Sequence, residues 1–252
     1  MDSSIKLYQG DCLELMKDIP DHSVDLILCD LPYGTTQCKW DTILPFDALW
    51  DNYHRIISDT GVVALFGAEP FSSQLRNSNL SEFRYDWYWI KDRASGHLNA
   101  KIQPLRDVEI ISIFYGDNNQ YFPQMSVGKP SHSIGRAIND VTCKNNNLYG
   151  DFARVEREGN LKYPRQSLYY TRPHPPIHPT QKPVELMEYI IRTYTQPGNT
   201  VLDNCMGSGT TGVACKKLDR NFIGIDIDDN YYNLAKDRIE HTTVPKKLFD
   251  IP

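Results

Sequence analysis

No two cysteines in this 252-residue sequence form a CxxC pair, and none has metal-ligand spacing. The six cysteines, at 12, 29, 38, 143, 205 and 215, read as free thiols in a reducing compartment, and no metal site is expected. Positive charge is not in excess: the formal net charge is −5. That excludes a polycationic nucleic-acid coat but leaves room for a local basic face. No apolar run approaches the ~18 residues of a membrane-spanning helix. The opening MDSSIKLYQGD lacks the basic and apolar regions of a secretory signal. A cytoplasmic protein with no membrane partner is the expectation. Repeats and low-complexity tracts are also missing.

The length suits one domain, or one domain with an insertion. Over 1–116, short apolar runs alternate with helical patterns: VDLILCD, a helix around 46–58, GVVALFG, YDWYWIK and VEIISIFY. Over 178–252 the alternation returns, with a helix through PVELMEYIIRTYT, the strand TVLDN, a glycine turn, a helix through GVACKKL, the strand NFIGIDID and a final helix. Strands alternating with helices predict a largely parallel α/β sheet covered on both faces. Trp87, Tyr88 and Trp89 read as core and sheet surface. His174 and His178, among prolines, read as loop residues.

The middle, 117–177, differs. It is irregular and carries eight Lys or Arg against five Asp or Glu. Its basic residues Lys129, Arg136, Lys144, Arg154, Arg165 and Arg172 alternate with aromatics, a texture that suits contact with phosphates and bases. A solvated surface insertion is the plainer reading, and composition leaves both open.

Acids stand where strands end. Asp30 follows VDLILC and is followed by Leu31, Pro32 and Tyr33. Asp203 ends TVLD and runs into Gly207-Ser208-Gly209-Thr210-Thr211, which opens a helix. Glycines let a backbone turn tightly and approach a ligand, and a helix N-terminus offers free N–H groups. No Lys follows Gly209, which excludes a GxxxxGK[ST] phosphate loop. Asp226 ends the next strand, 19 residues after Gly207, where nucleoside-binding folds hold two ribose hydroxyls. Asp11, after LYQG, is either a helix N-cap or a further ligand group. Phe66, ending GVVALF, either borders a ligand or belongs to the core.

These residues resemble a family. Asp30-Leu31-Pro32-Tyr33 is similar to the DPPY motif of amino-methyltransferases that act on DNA bases. LDNCMGSGTTGVAC resembles their S-adenosylmethionine motif, DPFxGSG, and HPTQKP at 178–183 resembles the segment that precedes it. The catalytic motif comes first, the basic variable region second and the cofactor motif last, an order similar to the β group of these enzymes. The matches span nearly the whole chain except 117–177.

The resemblance implies a Rossmann-like methyltransferase fold with a largely parallel seven-stranded sheet. It divides the chain into a catalytic domain, 1–116 with 178–252, and a target-recognition insertion, 117–177. It also implies roles. Asp30 and the Leu31 carbonyl, restrained by Pro32, would accept the hydrogens of a target amino group, and Tyr33 would stack on the flipped base. Asp11, with Cys12 beside it, would meet the cofactor's adenine. Asp226 would meet its ribose. Thr180, Gln181, Lys182 and Pro183, with Asp203, Asn204 and the turn Gly207 to Thr211, would surround its methionine part. Three residues depart from the pattern: Leu31 replaces a Pro, and Asn204-Cys205 replaces Pro-Phe, which removes an apolar wall beside the cofactor. The implied reaction is sequence-specific transfer of a methyl group to adenine N6 in double-stranded DNA. Asp rather than Ser at position 30 favours adenine over cytosine N4. RNA or protein methylation and a non-catalytic cofactor sensor are the remoter alternatives. Such enzymes often dimerise and are often paired with a restriction endonuclease.

Overall fold

A computed structural model describes residues 3–34, 41–128, 160–177 and 181–244. Two units emerge: 1–122 with 166–252, and 123–165. The larger unit is built on one eight-stranded sheet. Its strands are β1 (Ile5–Gln9), β2 (Val24–Cys29), β3 (Ile57–Gly67), β4 (Phe83–Ser95), β5 (Arg106–Phe114), β8 (Ser167–Tyr170), β9 (Thr200–Asp203) and β10 (Asn221–Asp226). They lie in the order β1-β10-β9-β2-β3-β5-β4-β8. From β1 through β3 every pairing is parallel. β5 runs antiparallel to β3 and β4, and β8 is parallel to β4. In the smaller unit the described residues form a short antiparallel pair, β6 (Ser126–Val127) and β7 (Leu161–Lys162).

The central strands are apolar over 26–29 and 62–66, where both faces are covered. On β2, Leu26 and Leu28 join one core cluster while Ile27 and Cys29 join the other. On β3, Val62, Ala64 and Phe66 alternate with Val63 and Leu65 in the same way. This is the two-residue period of a strand buried on both sides. The helix α2 (Phe46–Ile56) buries Leu49, Trp50, Tyr53 and Ile56, and α4 (Val184–Tyr194) buries Leu186, Met187, Ile190, Ile191 and Tyr194. Both sets follow the helical period. Trp87 and Trp89 of β4 are core residues; their indoles donate to the Tyr194 hydroxyl (2.7 Å) and the Tyr170 carbonyl (2.8 Å). Phe66 is fully buried.

The sheet has eight strands where seven were expected, and the extra one comes from the stretch read as insertion. In SLYY, only Leu168 is buried, the alternation of an edge strand. The two compact units change over after residues 122 and 165. No helix among the described residues is long and apolar enough to cross a membrane.

Because β1, β10, β9 and β2 are parallel, the chain leaves all four at one edge of the sheet. Connections from β9 and β2 run in opposite directions, through α5 (Thr210–Lys217) to β10 and through α2 to β3. Such a switch point opens a crevice at the carboxyl ends of the strands.

Candidate active site

That crevice is a cavity of about 470 Å3, within the ~300–1,000 Å3 of ligand pockets. Asp11, Asp30, Asp203 and Asp226, one from each of the four strand ends, line it. So do Cys12, Pro32, Gln181, Lys182, Asn204, Gly207, Ser208, Thr210 and Thr211. Leu31, Tyr33, Pro183 and Gly209 stand beside it without lining it. Thr180 lies outside the described residues. Lys129, Arg136, Lys144 and Arg154 lie outside them as well. Arg165 is an exposed residue of the smaller unit. Arg172 belongs to the larger unit, where its backbone N–H donates to Asp92 (2.8 Å).

Asp11 is an N-cap and a cavity residue at once. It caps α1 (Cys12–Leu15) by accepting from the Leu13 N–H at 2.8 Å. Asp226 accepts from the Gly207 N–H (2.8 Å) and the Asp228 N–H (2.9 Å), and burial raises its proton affinity despite both bonds. Asp203 is fixed by the Thr211 hydroxyl (2.5 Å) and the Cys205 N–H (3.2 Å). Burial outweighs those contacts and pushes its pKa up to about 7. Gly209 has φ +72, and a Cβ there would meet Ala235 Cβ at 2.8 Å. Only glycine both makes this turn and lets α6 (Asp229–Glu240) close on α5.

Asn204 occupies the wall where the related motif carries an apolar residue. Its amide is bound on both sides: the Tyr53 hydroxyl donates to Oδ1 (2.6 Å), and Nδ2 faces the sulfurs of Cys12 (3.6 Å) and Cys205 (3.7 Å). Burial is the first cause of the raised Cys29 pKa, about 12, so this thiol stays protonated at neutral pH.

Asp30 is held differently. Its Oδ1 accepts from the Tyr33 hydroxyl (2.6 Å), and its Oδ2 from the Lys182 ammonium (2.5 Å). Lys182 also contacts Glu109 (2.8 Å), which is paired in turn with Lys91 (2.6 Å). The Tyr33 hydroxyl reaches Glu109 at 3.2 Å. Apolar surfaces wall the cluster: Tyr33 stacks on Phe71 at 4.9 Å, and Lys182 lies over the Phe66 ring. Burial favours neutral acids, but Lys182 and Lys91 together overcome it at Glu109 and hold that carboxyl down to about 2. Among the described residues Asp30 meets the shared Lys182 and no second ammonium, so burial wins there and its proton affinity is raised. Burial alone would lower Lys182, and the two carboxylates reverse that and keep it charged.

Sequence reasoning missed Glu109, Lys91, Tyr53 and the cavity wall Thr42 to Pro45. For Glu109 a signal existed: one acid inside the apolar strand VEIISIFY. Buried Glu is rare unless paired. Lys91 and Tyr53 carried no such mark, because both sit in unremarkable amphipathic runs. Among the described residues no group of three or more His, Cys, Asp or Glu could hold a metal ion.

The largely parallel sheet and the line of strand-end acids define a Rossmann-like fold with a ligand crevice at the carboxyl ends of its strands. The chain belongs to the N6/N4 DNA methylase family, whose sequence profile matches residues 24–237. It is 30% identical to the type II methyltransferase M1.MboII of Moraxella bovis over 253 residues, covering 91% of this chain and 94% of that one. A crystal structure of an M1.HpyAVI–SAM complex is 26% identical with a TM-score of 0.62, covering 93% of this chain and 99% of that one. The cytosine-N4-specific PvuII DNA methyltransferase shares the fold, with a TM-score of 0.67 at 17% identity over 94% of this chain and 87% of that one.

Proposed function

We propose that this DNA methylase transfers a methyl group from S-adenosylmethionine to the exocyclic N6 of an adenine flipped out of double-stranded DNA. Asp30 is the observation that carries the reading: a carboxylate on the wall of the cavity, at the end of the central strand β2. The cavity also suits the cofactor. Its described walls carry four carboxylates and a single lysine, which favours a cationic ligand. Asp226 would take the ribose, Asp11 the adenine, and the turn from Gly207 the methionine part. When bound, the cofactor supplies an electrophilic methyl group on positive sulfur.

The chain's task is then to make an amino nitrogen nucleophilic. That nitrogen is a poor nucleophile because its lone pair is delocalised into the base. Asp30 and the Leu31 carbonyl accept its two hydrogens, which favours a pyramidal nitrogen with a localised lone pair. These bonds strengthen as positive charge develops, so they favour the transition state over the ground state. The methylated nitrogen must lose one proton, and Asp30, whose proton affinity burial raises, receives it. Tyr33 replaces the stacking that the base loses on leaving the duplex, a contact worth ~1–3 kcal/mol. Residues 123–165, with Arg172, would contact the DNA.

Asp at position 30 favours adenine, and cytosine N4 is the reading it competes with. Purified protein is incubated with unmethylated genomic DNA and S-adenosylmethionine, and modified bases are mapped by single-molecule sequencing. N6-methyladenine within one short motif supports the proposal. N4-methylcytosine moves the target to the other base, and unmodified DNA overturns both.

A further inference from the structure

Both oxygens of Asp30 are already engaged, one by the Tyr33 hydroxyl and the other by the Lys182 ammonium. An acid that must grip an amino group is therefore latched. Lys182 at 2.5 Å from Asp30 is also an ammonium beside a nitrogen that turns positive during methyl transfer, and like charges at such range repel. Glu109 resolves both difficulties. It lies 2.8 Å from the same ammonium and 3.2 Å from the same hydroxyl, so each donor has a second acceptor within reach. Lys91, at 2.6 Å from its other oxygen, keeps Glu109 ionised for that purpose.

We infer that Glu109 is a positioning residue that takes Lys182 and the Tyr33 hydroxyl from Asp30 when the target amino group arrives, with Lys91 as its fixed counter-ion. The inference rests on the reading of Asp30 as acceptor of that amino group. Freed from both donors, Asp30 gives its lone pairs to the target. Lys182, neutralised by Glu109, no longer opposes the developing charge. Glu109 enters through the β4–β5 pairing, in which Trp89 faces it across the ladder, so its place is set by the sheet rather than by a loop.

The pH dependence of turnover tests this, because the two partners of Lys182 compete for it. The titratable or charged groups that bear on Asp30 are Tyr33, Lys182, Glu109, and Cys29 and Asp203 at the ends of β2 and β9. In Glu109→Gln, Lys182 keeps Asp30 and loses Glu109 as a carboxylate partner. The acid limb of kcat then moves down by roughly one pH unit, and kcat falls about tenfold or more with cofactor KM unchanged. In Lys91→Met, Glu109 draws Lys182 away and the acid limb moves up. Glu109→Asp restores part of the rate. A Glu109 that acted on Asp30 through its charge alone would give the same opposed shifts but leave kcat on the plateau above the limb unchanged, whereas the hand-over requires that plateau to fall.

The measurement is kcat from pH 5 to 9 on duplex DNA for wild type and the three variants, with Asp30→Ala as reference. A plateau kcat lowered about tenfold in Glu109→Gln, together with opposed shifts, supports the inference. Superimposed profiles, shifts of one sign, or an unchanged plateau in Glu109→Gln overturn it, while an inactive Asp30→Ala leaves the reading of Asp30 intact. An active Asp30→Ala overturns that reading instead. If Glu109→Gln does not fold, Glu109→Asp takes its place: a lowered plateau kcat supports the inference and a wild-type plateau overturns it.

Discussion

Two ends of one cavity hold acids by opposite means. At the β10 and β9 ends, Asp226 and Asp203 are fixed by N–H groups and a hydroxyl, with no cation among the described residues paired to them. At the β2 end, Asp30 and Glu109 share Lys182, and Lys91 completes the set. Neutral donors fix a carboxylate while leaving its charge to a ligand. Ammonium groups cancel the charge and must give way before the acid can act. The first arrangement suits a cationic cofactor that binds and leaves; the second suits an acid that switches partners during the reaction.

The comparison can be broken at either end. The largest effect is expected from Lys182→Met, which leaves two buried carboxyls facing one another. Removing one partner of a buried pair costs about 3–5 kcal/mol, a fall in Tm of about 10 °C by calorimetry. The cost depends on pH. Without the ammonium, the native pKa of Asp30 rises further above the unfolded value. Stability is then intact below that unfolded value, near pH ~4, and is lost as pH rises through the native one. The deficit should therefore grow from pH 5 to pH 8; one that shrinks would show that Lys182 is not the partner of an ionised acid.

At the other end, Asp226→Ala should weaken cofactor binding about ten- to a hundredfold, since hydrogen bonds to a charged group contribute ~1.5–3 kcal/mol. Titration calorimetry reads this, and saturating cofactor should recover most of the single-turnover rate. Unchanged affinity with weaker DNA binding would refute the assignment to ribose. The smallest effect is expected from Tyr53→Phe, which strips the hydroxyl from the buried Asn204 amide. About 1–2 kcal/mol is the expected loss, about 2–6 °C in Tm, with a lesser loss of cofactor affinity. No change in either would mean that the polar wall is held by other contacts.

Much of this was legible in the sequence. The alternation of strands and helices predicted the sheet, and the acids after VDLILC, TVL and NFIGI marked the edge where the cavity opens, because a strand end followed by a turn fixes where a side chain emerges. Three things escaped. SLYY hid an edge strand among tyrosines and prolines. The helix expected around 46–58 ends at Ile56, where β3 already begins. The cluster around Asp30 escaped because ion pairing joins Asp30 to Lys182, 152 positions on, and Lys182 to Glu109, 73 positions back, distances that only the folded sheet closes. Lys182 was read as a neighbour of the cofactor, and it does line the cavity. Its contacts with Asp30 and Glu109 depend on where β5 lies, and periodicity does not report strand order.

The central claim is that the two ends of the cavity have separate duties, and Asp30→Ala tests it most directly. Methyl transfer to duplex DNA and cofactor affinity are measured on the same preparation, by labelled-methyl incorporation and titration calorimetry. The account predicts transfer reduced by at least ~10³-fold with cofactor affinity within a few-fold of wild type. Equal loss of both, or transfer that survives, would contradict it.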